Sequence, residues 1–272
     1  MIKELLYQNK KIIYRIEGNG KPVLLIHGFG EDSSVWNKQV EFLKNKFQLI
    51  IPDLPGSGQS EMINNMSMKG MAEVIKAIID NESSQVLGGD LEGANASIIG
   101  HSMGGYIMLA FIEKYPQYLN AFGLIHSSAY ADTEEKKIAR SKGIEFIKEN
   151  GAFEFLKSTT PNLFSAKTKD ERPEMIDEFI DSLNNFSAIA LVSYYKAMML
   201  RPDRTYTLKN STVPVLFIMG EEDKAVPLQD GLQQCYLPEK SYIHILQHSA
   251  HMCMLEETEK TNQALENFLK EI

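Results

Sequence analysis

Short runs of apolar residues alternate with amphipathic stretches along most of this chain. Continuous apolar and β-branched runs are typical of strands buried on both faces of a parallel sheet, and apolar residues three or four positions apart are typical of helices that cover such a sheet. The pattern predicts strands at residues 3–8, 11–17, 23–26, 47–51, 97–99, 121–125, 213–219 and 241–246, the first two joined as a hairpin. It predicts covering helices at residues 35–46, 66–79, 103–114 and 256–272. The predicted fold class is therefore α/β, a mostly parallel sheet flanked by helices.

The strand–helix alternation stops between Ser127 and Arg204. This segment is rich in Lys, Glu, Phe, Leu and Met, and it carries helical patterns at residues 134–149, 152–158, 172–184 and 187–200. We predict a helical cap at residues 129–204, inserted into a core that is formed by residues 1–128 and 205–272. The apolar faces of the cap can be buried only over the edge of the sheet, and its charged residues are expected to form a solvated face.

Residues 97–105 contain the pattern Gly-x-Ser-x-Gly between a predicted strand and a predicted helix. A nucleophile elbow requires this context, because it holds the serine on a sharp turn with the hydroxyl exposed at the carboxyl edge of the sheet. Gly100 and Gly104 lack a Cβ, so the strand and the helix can pass close together. The free N–H groups of the helix that begins at Met103 favour a developing negative charge at the same point. Ser102 is thus the candidate nucleophile.

Three other regions lie at the carboxyl ends of predicted strands, where ligands bind to open α/β sheets. Their sequences are Leu-Leu-Ile-His-Gly-Phe-Gly at 24–30, Pro-Asp-Leu-Pro-Gly-Ser-Gly-Gln-Ser at 52–60, and Gly-Glu-Glu-Asp-Lys-Ala-Val-Pro at 220–227 with Ser-Ala-His-Met at 249–252. Together with residues 97–105, they resemble the motifs of the α/β-hydrolase superfamily in its capped serine esterase and lactonase branch. The resemblance implies a Ser-His-Asp triad and a backbone oxyanion hole, and it leaves the substrate open.

A serine hydroxyl needs a base within hydrogen-bond reach, and histidine titrates in the working range of pH. His248 and His251 both follow the last predicted strand, and His251 matches the position of the catalytic histidine in the family that the chain resembles. The base needs an acid that fixes its tautomer. Asp223 follows a predicted strand, and the order Ser102, Asp223, His251 is that of this fold. The alternatives are His248 as the base and Asp132, after the strand that precedes the cap, as the acid.

The resemblance assigns the N–H groups of the oxyanion hole to Phe29 and Met103. We take five residues as candidates for the wall of the substrate pocket: His27, Phe29, His126, Met198 and Met199. His27 belongs to the oxyanion-loop motif, His126 follows the strand before the cap, and the two methionines lie near the end of the last cap helix. A cap that closes an apolar pocket over the serine would limit the length of the acyl or alcohol group.

Residues 81–95 depart from the pattern of the family, which runs quickly from the preceding helix into the elbow strand. The segment is polar and Gly-rich, which predicts an enlarged loop at the amino end of the elbow strand, away from the site. Asp90 and Glu92 could belong to a cation site, but they lack the further oxygen ligands that such a site needs. We therefore interpret the segment as a loop.

The composition narrows the function further. A chain of 272 residues with 43% hydrophobic residues predicts one domain with an insertion. Its net charge of −8 argues against nucleic acid and anionic membranes as partners. No run predicts a signal peptide or membrane span, and Cys235 and Cys253 are expected to be buried thiols in a reducing cytoplasm. We expect no metal and no cofactor, and a small-molecule substrate bound by a cytoplasmic monomer or homodimer.

The expected activity is hydrolysis of a small carboxylic ester, thioester or lactone through an acyl-enzyme. A serine at the elbow argues against haloalkane dehalogenases and epoxide hydrolases, since the resemblance implies that those two classes of enzyme carry an aspartate at this position. One alternative is a lyase or carbon–carbon bond hydrolase that uses the same triad on a small organic acid. It would need an arginine in the pocket, and four lie in or near the predicted cap: Arg140, Arg172, Arg201 and Arg204. The other alternative is a non-catalytic receptor for a small molecule.

Overall fold

One eight-stranded sheet forms the centre of the protein. The computed structural model describes residues 1–87 and 96–272. Its strands are β1 Ile2–Tyr7, β2 Lys10–Glu17, β3 Pro22–Ile26, β4 Gln48–Pro52, β5 Ala96–His101, β6 Leu119–Ile125, β7 Val215–Gly220 and β8 Ser241–Leu246. They lie in the order β1-β2-β4-β3-β5-β6-β7-β8, and the pairs β1–β2 and β2–β4 are antiparallel while the others are parallel. The predicted fold class is therefore confirmed.

Helices follow the strands along the chain. They are α1 Asn37–Leu43, α2 Met68–Leu87, α3 Met103–Lys114, α4 Glu134–Asn150, α5 Ala152–Thr159, α6 Ala166–Glu171, α7 Pro173–Ser182, α8 Ala188–Met199, α9 Thr205–Lys209, α10 Leu228–Leu232, α11 Cys253–Glu256 and α12 Thr258–Lys270. The predicted helices at 35–46 and 256–272 are each divided into two elements in the structure. In the first, a 3₁₀ turn at Ser33–Trp36 precedes α1, and the Asp32 side chain caps that turn at the Ser34 N–H.

Two apolar clusters hold helices on both faces of the sheet. Ile75 of α2 and Phe111 of α3 belong to the cluster on one face, and Leu43 of α1 and Phe268 of α12 belong to the cluster on the other. All four side chains are buried. Burial of one such side chain stabilises the fold by about 1.5–3 kcal/mol. The sheet is thus covered on both faces, and its carboxyl edge remains for a site.

Helix α2 is longer than the sequence predicts, which corrects part of the expected loop at 81–95. The helix continues to Leu87. Glu82, which the sequence analysis placed in a loop, is buried and accepts hydrogen bonds from Tyr14 Oη and Lys3 Nζ at 2.5 and 2.7 Å. These partners come from the first hairpin, so local sequence could not reveal them. The rest of the expected loop, with the candidate cation ligands Asp90 and Glu92, lies outside the described residues.

Helices α4 to α9 form a segment between β6 and β7. Four of them correspond to predicted helices (α4, α5, α7 and α8), whereas the short helices α6 and α9 escaped prediction. Helix α4 packs against α5 and α8. Phe164, Ile176 and Ile180 of this segment join the apolar cluster that also contains α1 and α12. The division into a core and a cap at residues 129–204 stays a prediction.

No helix within the described part of the chain is both long enough and apolar enough to cross a membrane.

Candidate active site

Ser102 occupies a strained turn between β5 and α3. Its φ of 49° and ψ of −116° place it in a region that residues other than glycine rarely adopt. Glycines make the turn possible, since a Cβ on Gly100 would lie 2.6 Å from the Gly105 nitrogen and one on Gly104 would lie 2.4 Å from the Ile26 oxygen. Such a conformation costs about 1–3 kcal/mol and persists where the surrounding structure enforces it. The turn therefore has the geometry of a nucleophile elbow.

Asp223 and His251 are joined by a hydrogen bond. His251 Nδ1 lies 2.8 Å from Asp223 Oδ2, and the second oxygen, Oδ1, accepts the N–H groups of Ala225 and Val226 at 2.8 and 2.9 Å. The Asp223 side chain is fully buried and that of His251 is 5% exposed. The N–H of His251 donates to the Leu163 carbonyl at 2.9 Å, which ties the histidine loop to the inserted helical segment. The position of His251 is thus fixed by one hydrogen bond of its ring and one of its backbone.

The two groups shift each other's protonation. Burial alone would raise the pKa of the Asp223 carboxyl, but His251 and His126 hold it far below its usual range. Burial alone would lower the pKa of His251, but the Asp223 carboxylate, and then Glu31 and Glu256, hold it above its usual value. Asp223 is therefore an ionised acceptor, so His251 Nδ1 carries the proton of the bond and Nε2 is available as a base in the neutral ring.

Ser102 and His251 line the same cavity, which has a volume of about 120 Å³. The remaining lining comes from the loops at the sheet edge, from α3 and from the inserted segment: Phe29, Glu31, Tyr106, Arg140, Leu163, Tyr195, Met198, Ala225 and Val226. The Phe29 ring stacks on Tyr195 with centroids 4.4 Å apart. A Cβ on Gly28 would lie 3.1 Å from the Cβ of Ser102, so the loop that contains Phe29 passes directly beside the serine.

The two candidate oxyanion donors come from two separate elements beside this serine. Met103 is the first residue of α3, so its N–H has no acceptor within the helix. Phe29 lies on the loop after β3 and lines the cavity. Amides in these positions can hold a negative oxygen that forms on a substrate bound at Ser102.

Three of the candidate pocket residues are not part of the lining of this cavity. His27 is fully buried and connects two loops, because its Nε2 accepts the Leu54 N–H at 3.0 Å. His126 is buried and directed at Asp223. Met199 is one residue beyond Met198, which is a turn of about 100° around α8. Phe29 and Met198 do line the cavity.

The alternative acid and base have other surroundings. Asp132 is fully buried and accepts Arg140 Nε at 2.6 Å and Arg201 Nη1 at 2.7 Å. Burial alone would raise the pKa of Asp132, but Arg140 and then Arg201 hold it below its usual range. The His248 side chain is exposed and does not line the cavity. These contacts favour Asp223 over Asp132, and His251 over His248.

A buried pair beside the cavity, Glu31 and His101, was missed by the sequence analysis. Glu31 Oε2 accepts the Gly28 N–H at 2.7 Å and lies 3.0 Å from His101 Nδ1, and His101 Nε2 lies 2.9 Å from the His251 carbonyl oxygen. Both ring nitrogens of His101 thus face oxygen atoms, one on Glu31 and one on the backbone of His251. Burial alone would raise the pKa of Glu31, but His101 and the Gly28 amide hold it below its usual range. The pair links the oxyanion loop, the elbow and the histidine loop.

We expect Glu31→Gln to lower the free energy of unfolding by roughly 2 kcal/mol at pH 7, because it removes the buried negative charge that accepts the Gly28 N–H and contacts His101 Nδ1. The lowered pKa of Glu31 means that its stabilisation is present above the unfolded-state pKa, about 4.3, and is lost as pH falls below it. The difference between wild type and variant, measured by urea unfolding, should therefore be constant above about pH 5 and shrink as pH falls below about 4. Glu221→Gln, at an exposed position, is the control. Equal stability of the two variants at pH 7 would contradict this role.

Among the described residues, one group of side chains has the composition of a metal site. It consists of His126, Asp223 and His251, and one possible ligand atom of each lies within 4.8 Å of the others. Both imidazoles approach the same carboxylate oxygen through Nδ1, at 2.9 and 2.8 Å. These are hydrogen-bond distances, and an ion between a ring nitrogen and a carboxylate oxygen would need about 2 Å on each side. The geometry therefore fits a hydrogen-bonded cluster.

Comparison with known proteins agrees with this fold. The family model of the α/β-hydrolase fold matches residues 21–258, and the chain belongs to this family. The chain is 25% identical over 268 residues to 3-oxoadipate enol-lactonase 1 of Acinetobacter baylyi, covering 97% of this chain and 95% of that protein. It is 27% identical over 276 residues to a 2-hydroxy-6-oxononadienedioate/2-hydroxy-6-oxononatrienedioate hydrolase of Paraburkholderia phymatum, covering 95% and 91%.

Solved structures share the architecture. A thermophilic esterase from Thermogutta terrifontis, described with malate bound, superposes with a TM-score of 0.89 at 26% identity, covering 100% of this chain and 98% of that one. The relatives thus include an esterase, an enol-lactonase and a hydrolase of an oxo-dienedioate. The chain belongs to a family of hydrolases, and the bond that it cleaves is a matter for proposal.

Proposed function

We propose that this protein is a serine hydrolase that cleaves a small carboxylic ester, thioester or lactone through an acyl-enzyme. One observation carries the proposal: the strained Ser102 shares a cavity with His251, whose Nδ1 is held by Asp223 at 2.8 Å. A base with a fixed tautomer in the same cavity as a half-buried serine is the arrangement that nucleophilic catalysis needs.

In the proposed mechanism, His251 Nε2 takes the hydroxyl proton as Ser102 Oγ bonds to the substrate carbonyl carbon. The resulting oxyanion is held by the N–H groups of Met103 and Phe29. His251 then gives its proton to the leaving oxygen or sulfur, which departs and leaves the acyl group on Ser102. Water, activated by the same imidazole, attacks the acyl-enzyme and releases the acid. Asp223 stays ionised throughout and stabilises the transient imidazolium.

We propose that residues 129–204 act as a cap that limits the size of the substrate. Arg140 of α4, together with Tyr195 and Met198 of α8, contributes to a cavity of about 120 Å³ over Ser102. This volume suits a short acyl chain, and the surrounding apolar side chains exclude water from the reacting carbonyl. Short esters are therefore the preferred substrates in this proposal.

Arg140 supports a substrate that carries a carboxylate. It lines the cavity with Ser102, and its Nε and Nη2 both donate to Asp132, at 2.6 and 3.3 Å. Asp132 also accepts Arg201, so two guanidinium groups share one carboxylate and the group keeps one net positive charge. Arg140 is 19% exposed, against 4% for Arg201, so it is the cation that a ligand in the cavity can reach. A carboxylate is the anion that a guanidinium fork recognises in two contacts.

The names of two relatives agree with an acidic substrate. The Paraburkholderia phymatum hydrolase acts on a dienedioate, which has two carboxylates, and the Thermogutta terrifontis esterase was described with the dicarboxylate malate bound. The same cation favours a second candidate function, hydrolysis of a carbon–carbon bond in a small organic acid by the same triad. A comparison of kcat/KM for p-nitrophenyl acetate with kcat/KM for a 2-hydroxy-6-oxo-dienoate would separate ester hydrolysis from carbon–carbon bond hydrolysis. Turnover of neither would favour a receptor.

We expect Arg140→Met to lower the ratio of kcat/KM for p-nitrophenyl hemisuccinate to kcat/KM for p-nitrophenyl butyrate by about 10- to 100-fold. The reason is the loss of a charged hydrogen bond, which contributes roughly 1.5–3 kcal/mol. Lys142→Met, at an exposed position of the same helix, is the matched control and should leave the ratio unchanged. A ratio that stays the same in Arg140→Met would exclude a carboxylate subsite at this arginine.

A further inference from the structure

His126 contacts the acid of the candidate triad and is not part of the lining of the substrate cavity. It directly follows β6, and its φ of 47° lies in the left-handed region, which a non-glycine residue seldom adopts. Its side chain is fully buried, and its Nδ1 lies 2.9 Å from Asp223 Oδ2. This is the same oxygen that His251 Nδ1 contacts at 2.8 Å. Two imidazoles therefore share one carboxylate oxygen.

The position of His126 carries several costs. Its Nε2 is buried and has no hydrogen-bond partner among the described residues, an exception that calls for an explanation. The end of β7 leaves room for the ring, since a Cβ on Gly220 would lie 2.9 Å from His126 Cε1. His126 thus has a strained backbone, a buried Nε2 without a partner among the described residues, and a glycine beside its ring. Its side-chain hydrogen bond goes to Asp223.

We propose that His126 is a positioning residue that acts through Asp223 and lowers the basicity of His251. Its N–H holds Oδ2 in place and competes with His251 for the negative charge on that oxygen. The role rests on the triad of the proposed function, in which Asp223 orients His251.

The hydrogen bonds of Asp223 explain both parts of this role. The carboxylate accepts four of them: Oδ1 takes the N–H groups of Ala225 and Val226, and Oδ2 takes His126 and His251. Four donors fix the plane of the carboxylate. Because Oδ2 divides its charge between two donors, it stabilises the imidazolium of His251 less than an oxygen with one donor would. Burial lowers the pKa of His126, so this ring acts as a neutral N–H donor and adds no positive charge of its own.

Other titratable groups also face these rings. His101 lies 4.9 Å from the His251 ring and 6.1 Å from the His126 ring, centroid to centroid. Glu31 and Glu256 raise the pKa of His251, and burial raises the pKa of the Cys253 thiol, which keeps it neutral. All of these groups remain when residue 126 is changed. A change in the pKa of His251 on substitution can then be assigned to the bond between residue 126 and Asp223.

The test compares His126→Asn with His126→Leu. These side chains have the same branched shape, but Asn can place an amide N–H where His126 has Nδ1, and Leu has no donor. Asn also tolerates a positive φ. The pKa of His251 is measured by ¹⁵N NMR of histidine-labelled protein. We expect it to rise by roughly half a unit or more in His126→Leu and to stay near the wild-type value in His126→Asn. The acid limb of kcat/KM for p-nitrophenyl acetate should move to higher pH in the Leu variant alone.

An unchanged pKa in His126→Leu, or an equal rise in both variants, would overturn the proposal, because the hydrogen-bond donor would then have no effect. If His126→Leu does not fold, the wild-type spectrum decides. A neutral His126 with hydrogen on Nδ1 between pH 5 and 9 supports the role, and hydrogen on Nε2 or a titration within that range overturns it. The NMR titration needs no substrate. A shift without any esterase activity would therefore count against the proposed function and not against the link from His126 to His251.

Discussion

Replacing Ser102 with alanine is expected to lower kcat for p-nitrophenyl acetate by about four to six orders of magnitude. The change removes the one oxygen that forms the acyl-enzyme, and what remains is binding and the oxyanion donors. Alanine should also leave the fold intact, because the substitution deletes a single atom at a strained turn and opens no cavity in the apolar core. Initial rates of purified protein and a thermal melt measure the two effects.

The control for this variant is Ser193→Ala on α8. Its hydroxyl bonds to the Ile189 carbonyl and is not part of the cavity lining. A fluorophosphonate should label the wild type and Ser193→Ala at Ser102, and it should not label Ser102→Ala. If Ser102→Ala kept more than a few per cent of the activity with contamination excluded, the nucleophile would be another residue, and the acyl-enzyme proposal would have to be abandoned.

His251→Ala is the second change with a large expected effect, a loss of about four to six orders of magnitude in kcat. Without the imidazole, the Ser102 hydroxyl has no base, and the buried Asp223 carboxylate keeps His126 as its remaining imidazole partner. The rate of p-nitrophenyl acetate hydrolysis measures the loss. Added imidazole should restore part of it if the vacated space admits the free base.

His248→Ala is the matched control, since this histidine lies three residues earlier in the same loop with an exposed side chain. We expect less than about a threefold change in kcat, because His248 does not line the cavity and its backbone N–H, which the substitution keeps, makes the bond to Glu257 at 2.9 Å. Similar losses in the two variants would mean that the loop as a whole matters and that His251 is not the base.

Local sequence determined the order of the elements and the elbow. The strands are short, continuous apolar runs bounded by polar turns, so their positions follow from periodicity alone, and the structure matches β8 at Ser241–Leu246 and α3 at Met103–Lys114 residue for residue. The Gly-x-Ser-x-Gly pattern carries its own physical reason, because a strand can turn directly into a helix only where side chains are absent. Candidate residues at the carboxyl ends of strands lie close together for a different reason: parallel strands end at the same edge of the sheet.

Tertiary structure decided which side chains face the cavity. The sequence offered four arginines, and packing of α4 against α8 accompanies an arrangement in which Arg140 lines the cavity and Arg201 is buried against Asp132. It also decided the end of α2, because Glu82 is held by Tyr14 across 68 residues of chain. Neither partner is visible from the local pattern, which records the burial of a segment and not the identity of its neighbour.

The same limit applies to the polar groups around the candidate triad. By itself, the sequence determined the fold class and the segments that meet at the edge of the sheet. It could not show that Glu31 pairs with His101 across 70 residues, or that His126 donates to Asp223 across 97. Apolar burial follows a period along the chain, whereas a buried hydrogen bond depends on two atoms meeting within about 3 Å. That coincidence arises only when separate elements have been packed together.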